Sequence, residues 1–106
     1  MITNIIFAQY KPAAGESHVL YQVPEFSSAI GTIYIAAQNG FDIVSVKLIK
    51  YPNPESDSQY ILRNCKLFGN VPVYLQQIHL NQFDVVKITS TTGDCSYTFT
   101  GELITN

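Results

Sequence analysis

From Asp42 to Lys50 the chain alternates. Val44, Val46 and Leu48 fall on one side, while Ser45 and Lys47 fall on the other between Ile43 and Ile49. A period of two, rich in β-branched residues, marks a half-buried strand. Such a strand needs partners along its edges and a second layer over its apolar face. The rest of the chain supplies more segments of this kind and no convincing helical period.

Ile2 to Tyr10 is apolar on both sides, with Ile2, Ile6 and Ala8 opposite Ile5 and Phe7. That predicts a strand covered on both faces, or an edge strand that another chain completes, so residues 1–12 are a candidate N-terminal arm or edge strand. Pro12 and Gly15 end it. Glu16 to Val23 predicts a strand with Val19, Tyr21 and Val23 facing in and His18, Leu20 and Gln22 facing out. After a short loop at Phe26-Ser27-Ser28, Ala29 to Gln38 buries Ile33, Ile35 and Ala37 opposite Tyr34 and Gln38. Asn39-Gly40 then reads as a tight turn, because both residue types accept positive φ. It predicts a hairpin pairing Ile30–Gln38 with Phe41–Lys50.

Tyr51 to Ser58, with two prolines among polar residues, is a loop. A short strand at Gln59–Leu62 leads through Arg63-Asn64 to Lys66-Leu67-Phe68, and Gly69-Asn70 turns. Val71, Val73 and Leu75 share a side, and Gln76 to Leu80 continues through an expected bulge. After Asn81-Gln82 comes Phe83–Thr89, with Val86 and Ile88 opposite Lys87 and Thr89. Thr91 to Asp94 turns into a last strand, Cys95–Ile104, where Tyr97, Phe99, Gly101 and Leu103 alternate with Ser96, Thr98, Thr100 and Glu102. Gly101 within it predicts a bulge or a close backbone approach. Seven to eight short strands at this spacing predict a single all-β domain over residues 1–106, a two-layer antiparallel β-sandwich, with a small β-barrel as the alternative.

Composition narrows the classes. At 106 residues the chain is long enough to bury a core without a metal or disulfide. Charged residues are 13% of it, about half the usual share. Seven Tyr and six Phe accompany many Thr, Ser, Asn and Gln. A neutral polar surface of this kind suits packing against other subunits, though Thr and Tyr also follow strand propensity. The six basic residues form no run and the net charge is −2, which argues against a nucleic-acid partner. No apolar run is long enough for a transmembrane helix. Met1 to Tyr10 lacks the charged start of a signal peptide, so cytosolic synthesis is expected, with Cys65 and Cys95 as free thiols.

Little in the chain reads as chemistry. His18 and His79 sit in no hydrolase or zinc-binding context and read as surface or interface residues. Two cysteines and two distant histidines make no zinc site. The acids mostly border turns, where Asp caps backbone amides. Glu55 and Asp57 could hold calcium weakly, but no DxDxDG pattern is present. No catalytic residue, metal or cofactor is expected, and the chain is not expected to be an enzyme. Tyrosines spread one per strand or loop fit cross-strand packing better than a sugar platform. The candidates for contact with a partner are the outward Tyr34 and Tyr74, the loop residues Phe26, Phe41 and Tyr51, and Ile2, Ile5 and Phe7 of the first strand.

The order of elements carries a further pattern. Leu20-Tyr21-Gln22-Val23-Pro24 opens it, and a strand ending at Asn39 follows. Then come Val44-Ser45-Val46-Lys47-Leu48, Tyr60 to Asn64, Leu80 to Ser90, and a close on Thr100-Gly101-Glu102-Leu103-Ile104. From about Val19 to Thr105 the chain resembles small β-sandwich virion proteins of tailed bacteriophages. The resemblance implies a protein made in the host cytoplasm and carried on the virion as capsid decoration, neck, baseplate, tail or fibre component. It would act by packing against other virion proteins as a homo-oligomer, without membrane or nucleic acid. The alternative it leaves is a fibre module that binds a host-surface glycan or receptor.

Overall fold

The computed structural model describes residues 1–69 and 71–105. They form eight strands and one short 3-10 turn. In chain order the strands are β1 (Ile2–Tyr10), β2 (Ser17–Gln22), β3 (Ser27–Ala37), β4 (Phe41–Ile49), β5 (Tyr60–Phe68), β6 (Val73–Leu80), β7 (Val85–Ser90) and β8 (Cys95–Thr105). The 3-10 turn, Asp57–Gln59, precedes β5. The strands make two four-stranded antiparallel sheets, in the orders β1-β8-β3-β6 and β2-β7-β4-β5. The two-layer sandwich expected from the alternation is therefore present.

The pairing resembles one long hairpin rolled up. β4 pairs with β5, β3 with β6, β2 with β7 and β1 with β8, nested around the 50–59 loop. Every connection except β4–β5 crosses from one sheet to the other. Eight strands in this order make a jelly roll.

The Asn39-Gly40 hairpin is the main expectation to fail. β3 lies in one sheet and β4 in the other. Neither Asn39 nor Gly40 is among the residues with positive φ, so the two-residue hairpin turn does not form. The Asp94 carboxylate accepts the amides of Asn39, at 3.1 Å, and Gly40, at 3.0 Å. Donors that a hairpin would aim along its own turn are instead tied to the turn before β8.

The core lies between the sheets. β8 contributes Tyr97 and Phe99, β3 Ile33 and Ile35, β4 Val44 and Val46, and β7 Val86 and Ile88, all fully buried. Gly101 packs by close approach. It faces Gly31 across the β3–β8 ladder, and a Cβ on Gly101 would lie 2.5 Å from the Gly31 Cα.

Bulges explain the other departures. In β2 the register slips between Val19 and Tyr21, which buries Leu20 and leaves Val19 exposed, the reverse of strict alternation. His18, expected to face out, pairs with inward Ile88 and stacks on Tyr10 at 3.8 Å. The two short runs expected at Gln59–Leu62 and Lys66–Phe68 are one strand, β5, which continues through Asn64 at φ 49°. The expected bulge in β6 is present, with Gln77 at φ 57° and a slip opposite Gly31/Ile33. Of the turn expected at Gly69-Asn70, Asn70 lies outside the described residues.

β1 lies at the edge of its sheet, with one side paired within the chain. It pairs with β8 along its length, and Phe7 packs on Phe99 and Tyr21, with ring centroids 4.6 and 4.9 Å apart. Phe7 thereby closes an aromatic cluster against the core.

Candidate binding surfaces

Two buried carboxylates shape the loops that frame the surfaces. Asp42, fully buried, accepts the amides of Ile43, Thr91, Thr92, Asp94 and Cys95 at 2.8–3.1 Å and the Ser90 hydroxyl. Burial pushes its carboxyl up, but the Ser90 hydroxyl and the amides of Thr92, Cys95 and Ile43 outweigh that and hold it down at about 2. Asp84 accepts the amides of Tyr51 and Asn81 and pairs with Lys50 at 2.9 Å. Sequence reading anticipated Asp at turns. The partners lie far along the chain, which it could not supply.

The first surface is the outer face of the β1-β8-β3-β6 sheet. Tyr34 lies opposite Tyr74 in the β3–β6 ladder, and their rings meet edge-on at 5.1 Å. Across the ladder follow Thr98 and Gln9; one row on, Thr32, Thr100 and Ile6; and at the far end, Ile104 and Ile2. Glu102 alone carries a formal charge among the described strand residues of this face. Tyr34, Tyr74, Ile2 and Ile6 are exposed. Three of the eight contact candidates, Ile2, Tyr34 and Tyr74, thus share one face. Ile6 joins them by the same alternation as Ile2, while the bulge after it turns Ala8, expected on the same side, toward the core. Ile5 and Phe7 point the other way. Ile5 lies opposite Gly101 and is half-buried, and Phe7 is spent on the core.

A second group gathers at one end of the sandwich. The turn Asn81–Asp84 brings Phe83 to Tyr51, with rings 5.1 Å apart, while Gln82 accepts the Phe26 amide. Phe26 and Phe83 both hold positive φ, 59° and 66°, which is rare for a bulky side chain. Phe26 and Tyr51 are exposed here. Phe41 lies elsewhere, on the outer face of the other sheet, opposite Phe68 and beneath the Lys66 ammonium.

The third surface is a polar pocket on that outer face of the β2-β7-β4-β5 sheet, a cavity of about 40 Å3 lined by Ser17, Ser45, Lys47, Glu55, Tyr60, Lys87 and Thr89. Lys47 and Lys87 face each other in the β4–β7 ladder. Like charges placed so repel. The Glu55 carboxylate bridges them, one oxygen 2.9 Å from Lys47 and the other 2.8 Å from Lys87. Hydrogen bonds from Lys87 and then Lys47 hold the Glu55 carboxyl below its usual range, and Glu55 in turn raises Lys47. Sequence reading weighed Glu55 with Asp57 for calcium. In the structure Asp57 leans to Arg63 instead, at 3.7 Å. No group of three or more His, Cys, Asp or Glu residues suited to a metal occurs among the described residues. His79 is exposed on β6, and Cys65 and Cys95 are free thiols. No described helix is long and apolar enough to cross a membrane.

No protein-family profile and no curated protein sequence matches the chain. Among solved structures it is similar to a chain in a structure of the Gx strain of infectious bursal disease virus, with a TM-score of 0.53 and 13% identity over 97% of this chain and 31% of that one. It also aligns with a chain in the crystal structure of the VP2 subviral particle of infectious bursal disease virus, with a TM-score of 0.48 and 14% identity over 97% of this chain and 32% of that one. The chain spans about a third of the length of these proteins. At such identity the likeness is one of fold.

Proposed function

We propose that this protein is a non-enzymatic virion structural protein that acts by packing against other subunits, as a homo-oligomer and against other virion proteins. The carrying observation is the outer face of the β1-β8-β3-β6 sheet, where Tyr34, Tyr74, Ile2 and Ile6 stand among threonines with one acid, Glu102. Tyrosine-rich surface poor in charge can be covered without stripping water from ions. The domain measures 42 × 29 × 20 Å, so its broad face is on the order of 1,000 Å2, enough for a standard interface. The jelly roll adds support by analogy, since viral capsid domains use this architecture, and so does the fold likeness to a chain from a virus structure. Assignment to a tailed-phage particle, as decoration, neck or tail component, draws on the sequence pattern from Val19 to Thr105.

Quantitative mass spectrometry of particles purified from the producing culture tests this. A copy number near that of the main capsid subunit supports decoration, and a low fixed number supports a neck, tail or fibre position. Absence from particles overturns the proposal. The second reading, a glycan-binding module, is favoured by one observation, the hydroxyl-lined pocket around Lys47 and Lys87. Jelly rolls also serve as lectin domains.

A further inference from the structure

Lys47 and Lys87 are held side by side by the β4–β7 ladder, not by attraction. Their backbones are fixed by pairing, and both ammonium groups reach one carboxylate. Side by side, they favour a negative group between them. In this structure it is Glu55, which comes from a loop whose residues 51–58 are all exposed. That loop does not depend on Glu55 for its shape. Gln59 ties it instead, accepting the Ser56 amide at 2.8 Å and donating to the Pro54 carbonyl at 2.9 Å. The lysines are better buried than their partner. Their side chains are 12% and 27% exposed, against 40% for Glu55. A half-buried cationic pair on paired strands is thus filled by a carboxylate from an exposed loop.

We propose that the Lys47–Lys87 pair binds the carboxylate or sulfate group of an acidic saccharide, with Glu55 occupying that position until the ligand displaces it. The ligand group would take Glu55's place between the two ammonium groups. With Glu55 in place the cavity is about 40 Å3, room for a few atoms and not a whole sugar ring, so the charged group takes the carboxylate's place and the ring stays at the rim. Ser17 and Thr89 stand at that rim. Their hydroxyls bond each other at 3.1 Å and keep capacity for a sugar hydroxyl. Ser45 is engaged with Asn64. The Tyr60 ring carries Lys47 and Arg63 over it, so the site selects by charge rather than by stacking. This site lies on the opposite sheet from the uncharged face, and the inference stands whether or not that face packs in a virion.

The test is an amide NMR titration of the full chain with sodium sulfate, glucuronate, galactose 6-sulfate and glucose, at constant ionic strength. Glucuronate and galactose 6-sulfate should shift Ser17, Ser45, Lys47, Lys87 and Thr89, and glucose should not. Removing the internal competitor in Glu55→Gln should tighten binding roughly threefold to thirtyfold, the range set by two exposed ion pairs. Lys87→Gln should abolish binding, and Lys66→Gln, which does not line the pocket, should leave it unchanged. Lys47→Gln replaces Lys87→Gln if the latter fails to fold. Equal affinity in the wild type and Glu55→Gln, or equal response to glucose, overturns the proposal. So does binding of the acidic saccharides no tighter than sulfate, which would make the pair a counter-ion site only.

Discussion

At the scale of single residues, Asp42 decides more than any other polar group. Its two oxygens satisfy four amides and a hydroxyl around the turn that launches β8, and the amide of Ile43 in β4. Its carboxyl is held at about 2, below the ordinary 3.8. A depressed carboxylate stabilises the fold fully above the unfolded value and loses that stabilisation as pH falls through the folded one. Stability should therefore drop by about 2 kcal/mol between pH 5 and pH 2 on this account. Asp42→Asn sets an amide donor against backbone donors. It should cost ~3 kcal/mol at pH 7 and flatten the acid limb, read by urea unfolding at pH 7 and pH 3. Cys95 sits beside it. Burial first, and then the Asp42 charge, push its thiol up to about 12. A thiol held protonated and buried reacts slowly. Thiol labelling of the native protein should modify Cys65 first, and Cys95 only as the chain unfolds.

At the scale of elements, the strands are set by local alternation, whereas their partners are set by contacts far along the chain. The β3–β8 ladder shows how tightly. Gly31 and Gly101 face each other, and a Cβ on either would run into backbone of the opposite strand, the Thr100 carbonyl for Gly31 and the Ile30 carbonyl for Gly101. Backbone held in a central ladder cannot step aside. Gly101→Ala should cost ~3 kcal/mol in thermal or denaturant unfolding, where an alanine at an open strand position would cost little. Gly101 was legible as a close-approach position because a glycine inside an alternating run has few other uses. The bulge that exposes Val19 was not legible. Leu20 and Val19 are both apolar, and only the β7 register decides which turns inward.

At the scale of the whole molecule, the two outer faces differ. One is nearly uncharged, with Tyr34 and Tyr74 at its β3–β6 end. The other carries Lys47, Lys87 and Glu55. If the first face packs against a partner, the double variant Tyr34→Glu with Tyr74→Glu should reduce the mass seen by light scattering to that of a monomer. Its unfolding midpoint should stay within a few degrees of the wild type, because neither ring is in the core. A variant that keeps the wild-type mass would remove this face from the assembly. Removing β1 would not serve the same purpose, since Phe7 packs on Phe99 and its loss opens the core.

The amino-acid sequence by itself determined that this chain is all-β, favoured a sandwich over a small barrel, and marked most of its strands and most of what they bury. The reason is that alternation is local: Ile33, Ile35, Val44, Val46, Tyr97 and Phe99 need only their own neighbours to mark an inward face. Tertiary structure alone decided which strands pair. Asn39-Gly40 carries a strong hairpin signal, yet it joins two sheets, because Asp94 holds its amides and β8 and β6 hold β3. Tertiary structure alone also brought Lys47, Lys87 and Glu55 to one point. In sequence the two lysines stand on separate strands and Glu55 on a loop between them. Only the nested pairing about that loop makes them neighbours.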